Sequence, residues 1–277
     1  MPVEETATLA HCPIKPLIGA EVLADKAALL SGTHAAEIRE LLEQRGVLVF
    51  PQVHFTDAEQ IAVTRSLGTY EPDRFDGHVT EISVDPAGGS SAEYTKASFF
   101  WHFDGYMNPV PVLASILRPV VLSETGGNTE FANTYAAWEA LPAERKAQLE
   151  GLSAVHALAG AQLAVEPEPD YATFTQWQTV RRNTLPLVWR HRSGRKSLVI
   201  GNTAVGIPGM DPLESLELLH WLRDWATQER FVYEHRWSPG DCVMWDNTGT
   251  LHRATPYDAE SGRLMVRTKL AGEEPFA

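Results

Sequence analysis

His102 and Asp104 stand two positions apart in the run Trp101-His102-Phe103-Asp104. On an extended segment, side chains at i and i+2 point the same way. An imidazole nitrogen and a carboxylate would therefore face one space. With a distant histidine added, they make up the two-His-one-carboxylate set that holds non-haem iron(II) and leaves positions open for reactants. His252 is the candidate third member. It follows Met244-Trp245-Asp246-Asn247-Thr248-Gly249, where a strand ends, turns and re-enters. Each piece alone is weak. The chain has ten histidines, a His-x-Asp pair is commonly a surface hydrogen bond, and a lone histidine is usually a satisfied core or surface residue.

A second feature lies near the C-terminus. Arg263, Met265, Arg267 and Lys269 alternate with Leu264, Val266, Thr268 and Leu270. Two readings are open. The segment is either an edge strand with its basic face in water, or it lies inside a β-barrel. In the second case Arg263 and Arg267 need anions, best met by carboxylates in bidentate pairs. No acidic run is placed to serve them, so the anions would be ligands.

The elements that must position these groups read as α+β. Helices are expected at 33–45, closed by Gly46, and from Thr56, where Thr56 and Glu59 form a capping box. A broken helix is expected at 134–149, and a further one after Asp211-Pro212, with Leu216, Leu219, Leu222 and Trp225 as its apolar face. Strands are expected at 47–50, 112–117 (stopped before Pro119), 198–200, 231–237, 242–245 and 263–270. The stretch 70–98 is irregular, with 85–96 a candidate lid. The segment 161–185 reads as an insertion over the core. No linker separates two cores, so one domain over 1–277 is expected. No Gly-rich phosphate loop appears.

Composition narrows the class. The chain has 277 residues, 44% hydrophobic and 21% charged, as in ordinary globular proteins. Its formal charge of −13 makes it a poor partner for nucleic acid or an anionic membrane surface. Two cysteines, Cys12 and Cys242, exclude a Cys-based zinc or iron–sulfur site within one chain. There is no secretory signal and no apolar run of membrane length, so a cytoplasmic location is expected.

Taken together, three blocks make the chain resemble the iron(II)/2-oxoglutarate dioxygenases of the taurine and 2,4-dichlorophenoxyacetate dioxygenase type. Trp101-His102-Phe103-Asp104 is similar to the family's Trp-His-x-Asp. Gly126-Gly127-Asn128-Thr129-Glu130-Phe131 is similar to its Gly-Gly-(Asn/Asp)-Thr-x-Phe. Trp245-Asp246-Asn247, His252, Arg263 and Arg267 fit its third block, with the arginines eleven and fifteen positions after His252.

The resemblance implies a double-stranded β-helix (a jelly-roll, cupin-like core) with flanking helices. It implies Fe(2+) held by His102, Asp104 and His252, with 2-oxoglutarate and O2 as cosubstrates. Arg263 and Thr129 would take the distal carboxylate of 2-oxoglutarate. Arg267 would take the substrate's acidic group or the near end of the cosubstrate. Ser98, Phe100, Tyr106 and Met107 flank the metal motif and are candidate substrate contacts. The reaction implied is oxidative decarboxylation of 2-oxoglutarate to succinate coupled to hydroxylation of a C–H bond. Asp104 favours that outcome over halogenation, because related halogenases carry a small residue there.

The aromatic setting suits a small organic acid, with aryloxyalkanoate-like carboxylates ahead of sulfonates. Desaturation or epoxidation by the same iron chemistry is an alternative. So is a non-catalytic β-barrel binder of small acids, though three intact metal ligands count against it. A zinc hydrolase could use the same ligands, but it leaves the arginines and Thr129 unexplained. By the same resemblance the expected assembly is a dimer or tetramer.

Overall fold

Val47-Leu48-Val49-Phe50 is apolar throughout because its strand is buried on both faces. Val47 and Val49 join one hydrophobic cluster, and Leu48 and Phe50 join another. Successive strand side chains point to opposite faces, so a strand covered on both sides loses the usual polar alternation. The same division runs through the neighbouring strands. Val243 and Trp245 face one way, and Cys242 and Met244 the other.

The computed structural model describes residues 8–72, 78–85 and 95–277. In chain order its strands begin with β1 (His11–Pro13), β2 (Ala20–Val22), β3 (Val47–Phe50), β4 (Thr80–Ile82) and β5 (Ala114–Val121). Next come β6 (Thr129–Asn133), β7 (Ser153–His156), β8 (Asn183–Pro186), β9 (Val188–Arg190) and β10 (Lys196–Leu198). The last are β11 (Ala204–Gly206), β12 (Val232–His235), β13 (Cys242–Asp246), β14 (Thr250–Ala254) and β15 (Leu264–Leu270). A seven-stranded sheet has the order β1-β2-β3-β13-β5-β15-β4. Its β2–β3 pair is parallel and its other pairs are antiparallel. A three-stranded sheet, β12-β6-β14, packs on it through Phe131, whose ring lies 5.5 Å from that of Trp245.

The basic strand is internal. β15 lies between β5 and β4, so the edge-strand reading is overturned. Its even positions face the helix Asp57–Leu67. Gln60 Nε2 donates to the Val266 carbonyl at 3.4 Å and to Thr268 Oγ1 at 3.2 Å. Its odd positions face the interior between the sheets, where Met265 joins the cluster of Phe131 and Trp245. That helix begins with the expected capping box. Thr56 N donates to Glu59 Oε2 at 2.7 Å, and Glu59 N donates to Thr56 Oγ1 at 3.3 Å.

Three local expectations are corrected. β5 runs through Pro119, which pairs with Met265 at a register shift; the missing N–H is tolerated because the ladder is already irregular there. The strand expected at 198–200 lies two residues earlier, at Lys196–Leu198. In the helix Pro212–Ala226 the inward residues are Ser215, Leu219, Leu222 and Ala226, while Leu216 is exposed. Steps of three residues drift backwards around a helix, so Leu216 and Trp225 fall on opposite sides; the buried stripe uses steps of four and three. The segment expected as an insertion holds the end of helix Leu158–Val165, helix Tyr171–Trp177 and the start of β8, which pairs with β7. Most of the candidate lid, residues 86–94, lies outside the described residues. No helix among the described residues is long and apolar enough to cross a membrane.

The capping box gives a stability prediction. Thr56→Ala should lower the unfolding free energy by about 1 kcal/mol, read as a lower urea midpoint at unchanged slope. An unchanged midpoint would show that the box contributes nothing to the packing of this helix on β15.

Candidate functional site

A cavity of about 670 Å³ opens between the two sheets. Leu117, Trp245, Met265 and Arg267 line it from the larger sheet, and Thr129, His252 and Ala254 from the smaller one. His102, Asp104 and His252 share this space, and each offers a ligand atom within 4.8 Å of the other two. His252 is carried by β14. His102 is not on a regular strand, contrary to the sequence reading. It forms an isolated bridge with His252, with amide-to-carbonyl distances of 3.0 and 2.8 Å. Alternation nevertheless holds locally: Trp101 and Phe103 turn into the core while His102 and Asp104 line the cavity.

The protonation states suit metal binding. His102 Nδ1 lies 2.8 Å from the Phe100 carbonyl. A carbonyl only accepts, so Nδ1 carries the hydrogen and Nε2 keeps its lone pair. Burial pushes both imidazoles below their ordinary pKa, His252 furthest, with the neighbouring His102 adding to the effect. Burial alone would raise the Asp104 carboxyl. The Arg267 guanidinium beside it is the largest opposing influence, and the group is held well below the usual carboxylate range. Two neutral nitrogens and an ionised oxygen are the donor set that iron(II) takes in facial triads.

The other end of the cavity is built for an anion. Arg263 is 4% exposed, and its Nη2 donates to the Gly127 carbonyl at 2.8 Å. The Tyr257 ring covers the guanidinium at 4.5 Å. The Arg263 Nε–H is buried and has no acceptor among the described residues, a costly state that an anionic ligand would relieve. The glycine pair makes room for this cradle. Gly127 has φ +71°, and a Cβ there would sit 2.7 Å from Arg263 Nε. Thr129 lies alongside and accepts a hydrogen bond from Trp237 Nε1 at 3.0 Å. Its hydroxyl hydrogen is therefore available to a second acceptor. Arg267 stands nearer the triad, with Nη1 donating to Asp104 Oδ2 at 3.0 Å.

Of the candidate substrate contacts, Ser98, Tyr106 and Met107 line the cavity. Phe100 does not. It is 38% exposed and lines a separate cleft with Trp101 and Arg253. The 3-10 turn Ala97–Phe99 ends just before it, so alternation does not extend back to this residue. The backbone carbonyl of Phe100, not its side chain, serves the site. Tyr257, Asn202 and Thr203 also line the cavity, and no motif pointed to them. Trp237 had a legible signal: it continues the alternation of Tyr233 and His235 beyond β12 onto the face that reaches Thr129.

The chain is similar to known proteins along nearly its whole length. The sequence profile of the taurine catabolism dioxygenase TauD, TfdA family matches residues 10–269. The chain is 34% identical over 276 residues to a (S)-phenoxypropionate/alpha-ketoglutarate-dioxygenase of Sphingobium herbicidovorans, covering 94% of each chain. It is 34% identical to the alpha-ketoglutarate-dependent 2,4-dichlorophenoxyacetate dioxygenase of Cupriavidus pinatubonensis, covering 92% of this chain and 95% of that one. The solved structure of AAD-2 in complex with Mn(II) and N-oxalylglycine superposes with a TM-score of 0.84 at 32% identity, over 98% of this chain and 100% of that one.

Behind the cavity wall, His156 is fully buried, with Nδ1 2.8 Å from Thr203 Oγ1. Burial pushes its pKa down to about 4 from an ordinary 6.5. The unfolded chain then binds a proton that the folded chain excludes. Its contribution to stability is fully present above about pH 6.5 and is lost as pH falls towards 4. The loss can reach about 1.4 kcal/mol per pH unit. Urea unfolding of the metal-free protein across this window should show a shallower pH slope in His156→Gln than in the parent chain. Equal slopes would remove His156 from the account.

Proposed function

The chain belongs to the taurine catabolism dioxygenase TauD, TfdA family, and from that premise we propose that it hydroxylates an aryloxyalkanoate-like carboxylic acid at the His102–Asp104–His252 centre. Members of this group are alpha-ketoglutarate-dependent dioxygenases, whose chemistry draws on iron(II), 2-oxoglutarate and O2. One observation carries the assignment to these residues. Three ligand atoms within 4.8 Å share a cavity with a buried arginine whose Nε–H has no acceptor among the described residues.

The roles follow from chemistry. His102, Asp104 and His252 hold the metal. When bound, iron(II) supplies the redox centre at which 2-oxoglutarate and O2 are consumed, giving succinate, carbon dioxide and a hydroxylated substrate. Arg263 and the Thr129 hydroxyl hold the distal carboxylate of 2-oxoglutarate. Tyr257 and Gly127 keep the guanidinium in place for it. Arg267 exchanges its contact with Asp104 for the carboxylate of the substrate. Tyr106 and Met107, with Ile82 and Leu117, give the rest of the cavity an apolar, partly aromatic wall that fits an aryl group and excludes water. Ser98 lies on the same wall. If the hydroxylated carbon bears an ether oxygen, the product is a hemiacetal that collapses, and the ether is cleaved. The relatives named for phenoxy acids support this substrate class. We read the two facing sheets as the walls of a double-stranded β-helix, and the chain as a single domain.

The test is an anaerobic titration of metal-free protein with Fe(II) and 2-oxoglutarate, followed by visible absorption. A weak charge-transfer band should require both components, vanish in His102→Ala and weaken in Arg263→Ala. Admitting oxygen with a phenoxyalkanoate should then release succinate and the phenol together. A folded, iron-loaded protein without the band would sink the cosubstrate assignment. A band with no phenol released would sink the substrate class.

A further inference from the structure

We propose that Ser115 and Asn247 are positioning residues that fix the Asp104 carboxylate, and that Trp245 anchors them while bracing His252. The inference rests on the reading of Asp104 and His252 as metal ligands. Three hydrogen bonds carry it. Trp245 Nε1 donates to Asn247 Oδ1 at 2.9 Å, Asn247 Nδ2 donates to Ser115 Oγ at 2.9 Å, and Ser115 Oγ donates to Asp104 Oδ2 at 3.3 Å.

Every direction in this chain is forced. An indole N–H can only donate, so the Asn247 oxygen faces Trp245 and its amide nitrogen faces Ser115. Ser115 Oγ thus accepts from Asn247, and its own hydrogen points at the carboxylate. All three residues are buried: Ser115 at 0%, Trp245 at 2% and Asn247 at 4% exposure. Register builds the bracket. Trp245 and Ser115 are cross-strand partners in the β13–β5 pair. Asn247 lies just past the end of β13, with its backbone N–H held by the Leu113 carbonyl at 2.9 Å. The indole also lies 4.8 Å from the His252 ring. One strand end therefore braces two ligands that come from separate parts of the chain.

The second donor to Asp104, Arg267, is a long side chain whose contact is exchanged when an acidic ligand arrives. Ser115 sits on an internal strand and has one rotor. It holds the carboxylate while Arg267 moves.

The experiment is titration of metal-free protein with Mn(II), scored by the EPR signal of the free ion, so no turnover is involved. The dissociation constant should rise about 10- to 100-fold in Ser115→Ala and similarly in Asn247→Ala, as for other lost supports of metal ligands. Because Asn247 acts through Ser115, the double variant should bind within about twofold of the weaker single variant. Ser115→Thr, which keeps the hydroxyl, should stay close to the parent affinity. A folded Ser115→Ala with parent affinity, or losses that multiply in the double variant, would overturn the proposal. If Ser115→Ala gives no cooperative melt, Asn247→Ala decides by the same measure. His102→Ala separates the two readings: if it binds Mn(II) like the parent chain, the ligand assignment itself has failed.

Discussion

The paired backbone hydrogen bonds between His102 and His252 are the constraint on which the site depends. They join a loop that follows a turn of 3-10 helix to a strand of the smaller sheet. Both imidazoles are thereby brought to one point, with ring centroids 4.1 Å apart. Asp104 follows two residues behind His102, so placing one segment places both side chains. Each of these groups is costly to bury alone. Buried together, they cost less: the carboxylate accepts from the Arg267 guanidinium, and the uncharged imidazoles beside it do not repel.

The surrounding sheets keep this cluster in register. β13 and β5 put Trp245 beside Ser115, and β15 sends Met265 and Arg267 into the same space. The helix Asp57–Leu67 covers the opposite face of β15, held by Gln60 and Thr64, which reach Thr268. The central strands are buried on both faces, so a slip of one residue would turn every cavity residue into the core. The apolar clusters on either side therefore fix the chemistry as well as the fold.

Electrostatics follows the local arrangement. A net charge of −13 opposes the approach of acids to the chain as a whole. Arg263 and Arg267 nevertheless line the cavity, and the acidic surplus lies elsewhere. The nearest charges and the surrounding dielectric set the potential inside a cleft. The glycines at 126 and 127 matter here because side chains in their place would meet the Pro256 carbonyl and the Arg263 guanidinium.

Much of this was legible in the sequence. The His102–Asp104 pair, the arginine spacing and the capping box are local patterns whose meaning travels with residue type and separation, whereas distant His252 was joined to them only through the family resemblance. The two-residue period of β15 identified its basic face, but only the tertiary structure decided whether that face meets water or the interior, because neighbours on both sides are set by distant strands. Alternation likewise gave His102 and Asp104 a common side, whereas nearness to the motif misled for Phe100, which lies just past a 3-10 turn and lines a separate cleft. Tyr257, Asn202, Thr203 and Ser115 left no mark in any motif, and Asn247 stood in the Trp-Asp-Asn block without a role that the block itself disclosed. Their roles come from contacts between segments far apart in the chain, and no spacing within one segment encodes such a contact. The sequence by itself determined which groups could do the chemistry; the packing of the two sheets decided which of them meet.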